Sequence, residues 1–549
     1  MKIIKICWVI LLLCLWLPAA YGDTGEQDLA KAMFDHLECY PVELLRFKEQ
    51  KPSIAREDVC LAVIYHELGA APLWVSAHGP GIRAGIILKH LKNADNEGLD
   101  PADYHVEKID SLWADPNLES LAKLDTLLTY NMVKYVHDVS HGQLNSYMVN
   151  PEPLAEAGKR DFDPLKIVET VLATENLDAF FQSLPPQHRQ YRGLKNGLIR
   201  YGLLKYSGEW QELSNTKSIR QGDEDERLVE IRKRIALLEN GSVKDLKIDN
   251  PSVYDHELLK KIILFQQTHG LEQDGIIGRN TIQELNKSPE DRVAQIKINM
   301  TRWRWQDHVL GYKYILVNIA NYSLYGYEAG ELKLSMPVII GKFQHQTPVF
   351  SDRIKYLELN PYWNVPTSIA VNEDLPELKK NPNYLIEKKI RLFSNWQEDG
   401  VEINSTTINW SQITPSEMAR FKLRQDPGPS NALGRVKFVF PNHYSVYLHD
   451  SPAKRLFSEQ KRSFSHGCIR VSEPEKLSVF LLDEKGNEWD IQRVNDLINL
   501  GKRMVLRISP PIPVHITYQT AWVDKDDQII FNGDVYERDK KLYKTLFMK

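Results

Sequence analysis

The spacing of apolar residues changes along this chain, and that change divides it into two parts with different secondary structure. In the first part apolar side chains recur every three or four positions, as in Leu118–Val136, which is typical of helices. From Tyr312 onward the period is two, with aromatic and β-branched runs such as Leu332–Ile340 and Ile354–Leu359 separated by Gly and Pro. The sequence therefore predicts an α+β protein in which helical domains precede a β-rich one.

The length and composition indicate several globular domains. At 549 residues the chain exceeds what one hydrophobic core usually organises, and 42% hydrophobic with 26% charged residues is typical of folded proteins. The formal net charge is −4, so there is no basic excess of the kind that nucleic-acid binding requires. We expect a multidomain protein without a nucleic-acid partner.

Residues 1–22 have the composition of a secretory signal. Two lysines precede the apolar run Ile6–Leu17, and small residues stand at the cleavage spacing in Ala20-Tyr21-Gly22. The run is short for a membrane span, although an uncleaved anchor is the alternative. No later segment is long and apolar enough to cross a bilayer. The sequence therefore predicts an exported protein.

The cysteines separate into three groups. Cys7 and Cys14 leave with the signal, and Cys39 and Cys60 can pair in an oxidising compartment. We therefore expect a Cys39–Cys60 disulfide in the exported protein. Cys468 is left without a partner.

The helical part contains two predicted domains. Residues 23–215 form the first, in which prolines separate the helices. Residues 222–287 form a smaller second domain of three helices, with an Asp274-Gly275 turn and Asn280 as a candidate N-cap of the third helix.

The β-rich domain is predicted at 310–508. Its alternation lapses in an insert at about 370–430, which ends in the Pro- and Gly-rich Asp426–Gly434, and strands resume at Arg435–Phe440 and Tyr444–Leu448. A long insert just before these strands suggests a lid, with a solvated surface decoration as the alternative. The last segment, 509–549, alternates again and predicts a β-hairpin.

The chemistry-bearing residues are concentrated in one short stretch, Ser465-His466-Gly467-Cys468-Ile469-Arg470. A thiol next to two basic side chains and a glycine is typical of an activated nucleophile. A second histidine, His449, lies upstream at the end of a predicted strand. A buried structural cysteine with ordinary loop histidines is the alternative, but the density of reactive residue types favours a catalytic site.

This stretch resembles the signature of YkuD-type L,D-transpeptidases: a histidine, about fifteen residues, then Ser/Thr-His-Gly-Cys, an apolar residue and Arg or Asn. His449 and 465–470 match it at every position. The resemblance implies a β-sandwich-like catalytic fold with Cys468 as nucleophile and His449 as base, the latter oriented by a carbonyl near Asp450. It implies neither a metal nor another cofactor.

The other residues of the signature have open roles. His466 is the rival base, to which we assign a structural or oxyanion-side role. The N–H groups of Gly467 and Cys468 are candidates for holding a developing oxyanion. Arg470 is a candidate clamp for a substrate carboxylate, with a structural ion pair as the alternative. Ser465 is a candidate substrate-binding residue.

The helical domains also have family counterparts. Residues 23–215 resemble the scaffold domain of the large, YcbB-like L,D-transpeptidases, whose catalytic domains carry a capping subdomain where this insert stands. The pattern Gly270-Leu-x-x-Asp-Gly in the second domain resembles peptidoglycan-binding modules, with a helical linker as the alternative.

The resemblance implies a periplasmic enzyme that releases D-alanine from stem tetrapeptides and forms 3→3 peptidoglycan cross-links. An L,D-carboxypeptidase, or another cysteine peptidase of the cell wall, and a non-catalytic wall-binding scaffold are the alternatives. The implied partners are peptidoglycan stem peptides and other cell-wall synthases, and carbapenem-type β-lactams are the implied covalent inhibitors.

Overall fold

The computed structural model describes residues 24–39, 61–144, 162–204, 210–241, 248–483 and 488–548. The chain separates into two compact units, and both are discontinuous in sequence. Among the described residues, the first comprises 24–144, 162–203 and 292–308, with the gap given above, and the second comprises 204–291 and 309–548, again with the gaps given above. The predicted signal, Cys60 and the Cys39 side chain lie outside the described residues.

The first unit is helical, as the apolar spacing predicts. Its longest helix, Leu118–His141, is buried along most of its length, and the carboxylate of Asp125 on it accepts the backbone N–H groups of Leu73, Trp74 and Val75. The unit's helices are Thr24–Cys39, Leu61–Glu67, Ile82–Lys92, Val106–Trp113, Leu118–His141, Pro164–Ala173, Leu177–Ser183, Arg189–Gly202 and most of Pro289–Arg304. A short strand pair, β1 (Val75–Ser76) and β2 (Gly79–Pro80), completes it. Among the described helices of the whole chain, none combines the length and apolar character that crossing a bilayer needs.

The small helical domain of the second unit has the three predicted helices, Arg227–Asn240, His256–Thr268 and Arg279–Leu285. Their apolar faces meet in one core that includes Ile231, Leu258 and Ile282. The third helix begins two residues earlier than the N-cap prediction requires. Gly278 occupies the N-cap position in an extended conformation, so Asn280 lies within the first turn and does not cap the helix.

The β-rich domain is built on a nine-stranded sheet in the order β13-β5-β14-β12-β11-β6-β15-β3-β4. Its strands are β3 (Lys313–Asn318), β4 (Ser323–Glu328), β5 (Glu331–Gly341), β6 (Phe350–Leu359), β11 (Val436–Val439), β12 (Leu448–His449), β13 (Ser463–Ser465), β14 (Ile469–Val471) and β15 (Met504–Thr517). The long β5 pairs with β4 along one part and with β14 along another, so the sheet returns on itself around a buried core. Helices Pro474–Leu482 and Ile491–Asn499 pack against that core.

The predicted strand Tyr444–Leu448 is wrong over most of its length, because the chain turns there. Ser445 adopts a φ of 56°, which a strand does not allow. The Asn442 side chain holds the turn by donating to the carbonyls of Phe440 and Val446. Only Leu448–His449 remains as a strand.

The insert is a folded subdomain with a sheet of its own, which the lapse in alternation did not predict. Its strands, in the order β7-β10-β8-β9, are β7 (Trp363–Asn364), β8 (Ile390–Phe393), β9 (Glu402–Ile403) and β10 (Lys422–Gln425). Short helices, Thr367–Ile369, Leu375–Lys380, Tyr384–Glu387 and Pro415–Met418, cover a separate core around Trp410. The strands are two to four residues long, which is too short for a period of two to be visible.

The two ends of the insert are tied together. The buried Asn431 side chain donates to the carbonyls of Pro361, at the entry, and Asp426, at the exit. The N–H of Arg435 donates to the Asp450 carboxylate, 2.8 Å away. A Cβ at Gly434 would lie 2.2 Å from that carboxylate, so only glycine fits there. Asp426–Gly434 is therefore a fixed turn.

The last segment packs against other parts of the second unit. The predicted hairpin is present as β16 (Ala521–Val523) and β17 (Ile529–Phe531), and helix Arg538–Phe547 follows it. Trp522 stacks on Tyr325 of the main sheet with ring centroids 5.0 Å apart, and Phe531 lies 5.5 Å from the His269 ring of the small helical domain.

A buried hydrogen-bond chain connects this segment to the backbone beside Cys468. The Tyr536 hydroxyl donates to Gly341 O (2.7 Å) and accepts the Thr347 N–H (3.2 Å). The Thr347 hydroxyl in turn donates to Gly467 O at 2.9 Å. Because all these groups are buried, each bond removed leaves a polar group without a partner.

Replacing Tyr536 by Phe removes the hydroxyl and leaves Gly341 O and the Thr347 N–H unpaired. We expect a loss of about 1–3 kcal/mol in the free energy of unfolding, and faster amide exchange in 341–347 and 465–468. Denaturant titration and hydrogen exchange measure the two effects. Tyr543→Phe, at a 40% exposed position, is the control. Equal stability of the two variants would contradict the role given to the Tyr536 hydroxyl.

Candidate active site

The parallel pairing of β12 with β14 brings the two halves of the signature together. Leu448 lies opposite Ile469, and His449 lies opposite Arg470. Leu448 and Ile469 are fully buried in the core. Because side chains alternate along a strand, Tyr447, His449, Cys468 and Arg470 share the opposite face of the sheet.

The Cys468 thiol is half-buried beside Tyr447. Its Sγ lies 3.9 Å from the carbonyl of Ser445, and the hydroxyl and backbone N–H of Tyr447 both donate to the sulfur. Burial raises the pKa of the Cys468 thiol, and these hydrogen bonds with the positive charges of Lys437 and Arg470 only partly offset the rise. The free site therefore holds a neutral thiol in a setting that stabilises charge once it forms.

His449 is held rigidly and is also neutral. The side chain is 5% exposed, and Nδ1 lies 2.5 Å from the carbonyl of Asp450. Burial, together with the charges of Arg470 and Lys437, lowers the pKa of His449 to about 3. With Nδ1–H donating to Asp450, Nε2 carries the lone pair that can accept a proton. In the described part of the chain no hydrogen bond joins His449 to Cys468.

Ser465 and Gly467 shape the loop in front of the nucleophile. The buried Ser465 hydroxyl donates to Cys468 O at 2.5 Å and accepts the Gly467 N–H at 3.2 Å. Gly467 has a φ of 113°, a conformation that strains any side chain with a Cβ. The Gly467 N–H is thus already bonded within the loop. The Cys468 N–H is therefore the better candidate for an oxyanion donor.

His466 makes its contacts with the insert and a neighbouring loop. Its Nε2 pairs with a carboxylate oxygen of Glu373, and its ring lies 5.1 Å from that of His345. His466 lies at the surface with its side chain partly covered, whereas His449 is buried on the same sheet face as Cys468. The geometry therefore favours His449 as the residue that exchanges a proton with the thiol.

Arg470 has no carboxylate partner among the described residues, so the structural ion pair considered from the sequence is not formed there. Its Nε is buried without a hydrogen-bond acceptor. Burial lowers the pKa of the Arg470 guanidinium, and the nearby Cys468 acts in the opposite direction. An unpaired guanidinium next to the thiol is suited to binding an anionic or carbonyl group of a substrate.

Sequence reasoning missed Tyr447 and Lys437. Tyr447 stands two residues before His449, and this spacing in extended chain places both side chains on one face. Lys437 lies on β11, and only the pairing of Lys437 with His449 across β11 and β12 shows that it belongs to the site. Strand order is a long-range property that a single sequence does not carry.

Three family models match the chain. Residues 312–506 match YkuD, the "L,D-transpeptidase catalytic domain", residues 60–198 match the "Scaffold domain", and residues 226–285 match the "Putative peptidoglycan binding domain". A curated relative from Haemophilus influenzae, named "Putative L,D-transpeptidase", is 34% identical over 269 residues. That alignment covers 48% of this chain and 53% of the relative, so the chain spans about half the length of the protein it matches.

Solved structures overlap with the chain only weakly. An L,D-transpeptidase mutant from Enterococcus faecium is 14% identical to this chain, with a TM-score of 0.19. The alignment covers 38% of this chain and 50% of the Enterococcus chain. An L,D-transpeptidase from Xylanimonas cellulosilytica is 13% identical to this chain, with a TM-score of 0.17. The alignment covers 56% of this chain and 100% of the Xylanimonas chain. The family assignment rests on the sequence models: the chain carries a YkuD-family L,D-transpeptidase catalytic domain joined to a scaffold domain and a peptidoglycan-binding domain.

Proposed function

We propose that the protein is an L,D-transpeptidase that forms 3→3 peptidoglycan cross-links through an acyl-enzyme on Cys468. The observation that carries the proposal is the shared sheet face on which Cys468, Tyr447, His449 and Arg470 meet. A family catalytic domain with this arrangement has both a nucleophile and a base, which a wall-binding scaffold does not need.

The reaction follows from the two neutral groups. Cys468 Sγ attacks the carbonyl of the third stem residue while its proton passes to His449 Nε2, and a C–S bond forms. His449 returns the proton to the departing D-alanine amine as the C–N bond breaks. The amine of a second stem then attacks the thioester and releases the thiol. The Cys468 N–H and the Tyr447 hydroxyl are suited to stabilise the oxyanion in both steps.

The contact between His466 and Glu373 supports transfer rather than hydrolysis. Glu373 belongs to the insert, so this pair connects the insert to the loop that bears the nucleophile. A folded cover at this place would exclude water from the thioester while an amine is positioned. An open site would favour the alternative, an L,D-carboxypeptidase that releases tripeptide.

The domain content supports a site of action outside the cytoplasm, and we place the protein in the periplasm with residues 1–22 as its signal. The peptidoglycan-binding domain would hold a glycan strand, and other cell-wall synthases would act on the same polymer. Carbapenem-type β-lactams would acylate Cys468, because their strained carbonyl presents the same electrophile as the stem peptide.

Cys468→Ala should abolish acyl-enzyme formation and leave the fold intact. Intact-mass analysis after incubation with a tetrapeptide muropeptide should show the tripeptidyl adduct on the native protein and none on the variant. Native protein that stays unmodified while its circular dichroism is normal would favour the non-catalytic scaffold.

Because both Cys468 and His449 are neutral, alkylation of the free enzyme by iodoacetamide should follow the thiolate alone. The rate should fall about tenfold per pH unit between pH 7 and 5, with a midpoint above that of an ordinary thiol. A rate that stays level between pH 5 and 7 would reveal a thiolate–imidazolium pair and contradict this description.

His449→Ala should slow acylation by the peptide roughly 10²–10⁴-fold, since no base is left to take the thiol proton. His466→Ala should have a much smaller effect on acylation, and single-turnover mass spectrometry compares the two. A larger loss in His466→Ala would transfer the base role to that residue.

Glu373→Gln should weaken the contact between the insert and the signature loop, so the product ratio should shift from cross-linked dimer toward free tripeptide. Glu377→Gln is the matched control, because Glu377 lies on the same insert and pairs with Lys380 at the surface. Chromatography of muropeptide products measures the ratio. If Glu373→Gln leaves it unchanged, this contact has no part in excluding water.

A further inference from the structure

Lys437 lies on the active-site face, yet the signature does not include it. Its Cα is paired with His449 on one side and with Glu358 of β6 on the other. The neighbouring Val436 and Phe438 are buried in the core, so Lys437 points to the face that carries the nucleophile. Its Nζ lies 4.0 Å from the centroid of the Tyr447 ring, whose hydroxyl contacts Cys468.

The ammonium of Lys437 is half-buried and has no carboxylate within 4 Å among the described residues. Glu358, its cross-strand neighbour, is 9% exposed and is engaged by the Arg503 guanidinium at 2.8 Å. Burial lowers the pKa of Lys437 even though Glu358 and Cys468 oppose the shift. A partly desolvated cation without an ion pair is costly unless it serves a ligand.

Arg470 has the same property on the other side of His449, where its buried Nε lacks an acceptor. Two cations without a carboxylate partner among the described residues thus lie on β11 and β14, the strands on either side of His449. Both lower the pKa of Cys468 and of His449, so both lie within electrostatic reach of the reacting atoms.

We propose that Lys437 and Arg470 together bind a carboxylate of the donor peptide beside Cys468, so that Lys437 is a specificity-determining residue. This inference rests on the proposed function. The free carboxylate of the terminal residue, one residue beyond the bond that breaks, is the first candidate for this ligand. A side-chain carboxylate of the stem offers the same chemistry.

The first experiment uses small reagents and does not depend on turnover. Iodoacetate and iodoacetamide react with the same thiolate, so a change in the thiol pKa affects both rates equally. The ratio of the iodoacetate rate to the iodoacetamide rate therefore measures how strongly the site attracts a carboxylate. At low salt we expect Lys437→Met to lower this ratio roughly five- to tenfold and Lys437→Arg to retain it. Lys333→Met is the control, because Lys333 is exposed and paired with Glu331. An unchanged ratio in Lys437→Met overturns the proposal.

The second experiment identifies the carboxylate. Three donor tetrapeptides are compared. One has a free terminal carboxylate, one has a terminal carboxamide, and one has an amidated side-chain carboxylate. We expect Lys437→Met to raise KM roughly ten- to hundredfold for the free acid and hardly at all for the terminal amide. If Lys437→Met leaves KM unchanged only for the donor with the amidated side chain, the carboxylate that Lys437 binds is the side-chain one. An equal loss for every donor would mean that Lys437 acts through the field at the thiol, and the proposal would be wrong.

The two experiments separate this inference from the proposed function. If the native protein leaves every donor unreacted, the transpeptidase proposal fails, while the iodoacetate ratio still decides whether Lys437 attracts a carboxylate.

Discussion

The active site depends on a two-residue parallel pairing between β12 and β14. Leu448 and Ile469 are both fully buried in the core, and their burial fixes the register of the two strands. A slip of either strand by one residue would turn His449 or Cys468, respectively, toward the core. The positions of Cys468 and His449 are therefore secured by apolar packing behind the sheet, and their side chains lie on the opposite, polar face.

That polar face carries two positively charged side chains next to His449. Cations at Lys437 and Arg470 lie on both sides of His449, and among the described residues the nearest acid in this row, Glu358, is already occupied by Arg503. The arrangement keeps imidazole neutral and lowers the cost of forming a thiolate or an oxyanion. In the proposed mechanism, charge therefore forms on the sulfur and the imidazole only when a substrate carbonyl is attacked.

Support for this face comes from segments far apart in sequence. The Thr347 hydroxyl holds the carbonyl of Gly467, and Tyr536 in turn accepts the N–H of Thr347. The Ser465 hydroxyl holds the carbonyl of Cys468. On the other side Asp450, which orients His449 through its carbonyl, uses its carboxylate to fasten the end of the insert at Arg435. Asp450 therefore joins His449 to the end of the insert, while a separate set of hydrogen bonds holds the loop that carries Cys468.

The sequence by itself determined the division into helical and β-rich parts and the identity of the reactive stretch, because periodicity and a contiguous motif are local properties. It also identified His449, which is close enough in sequence to belong to the same motif. Local patterns were wrong at Tyr444–Leu448 and at Asn280, where a side chain or a glycine fixes the backbone. They also missed the insert's small sheet, since strands of two to four residues are too short to show a repeated alternation.

Only the tertiary structure decided that Lys437 and Glu373 join the site and that Tyr536 supports it. Each of these residues reaches Cys468 or its loop through strand pairing or packing between distant segments. Such contacts depend on which strands become neighbours in the sheet. That choice is made by burial of the whole core, and it leaves no mark in the sequence around any one of these residues.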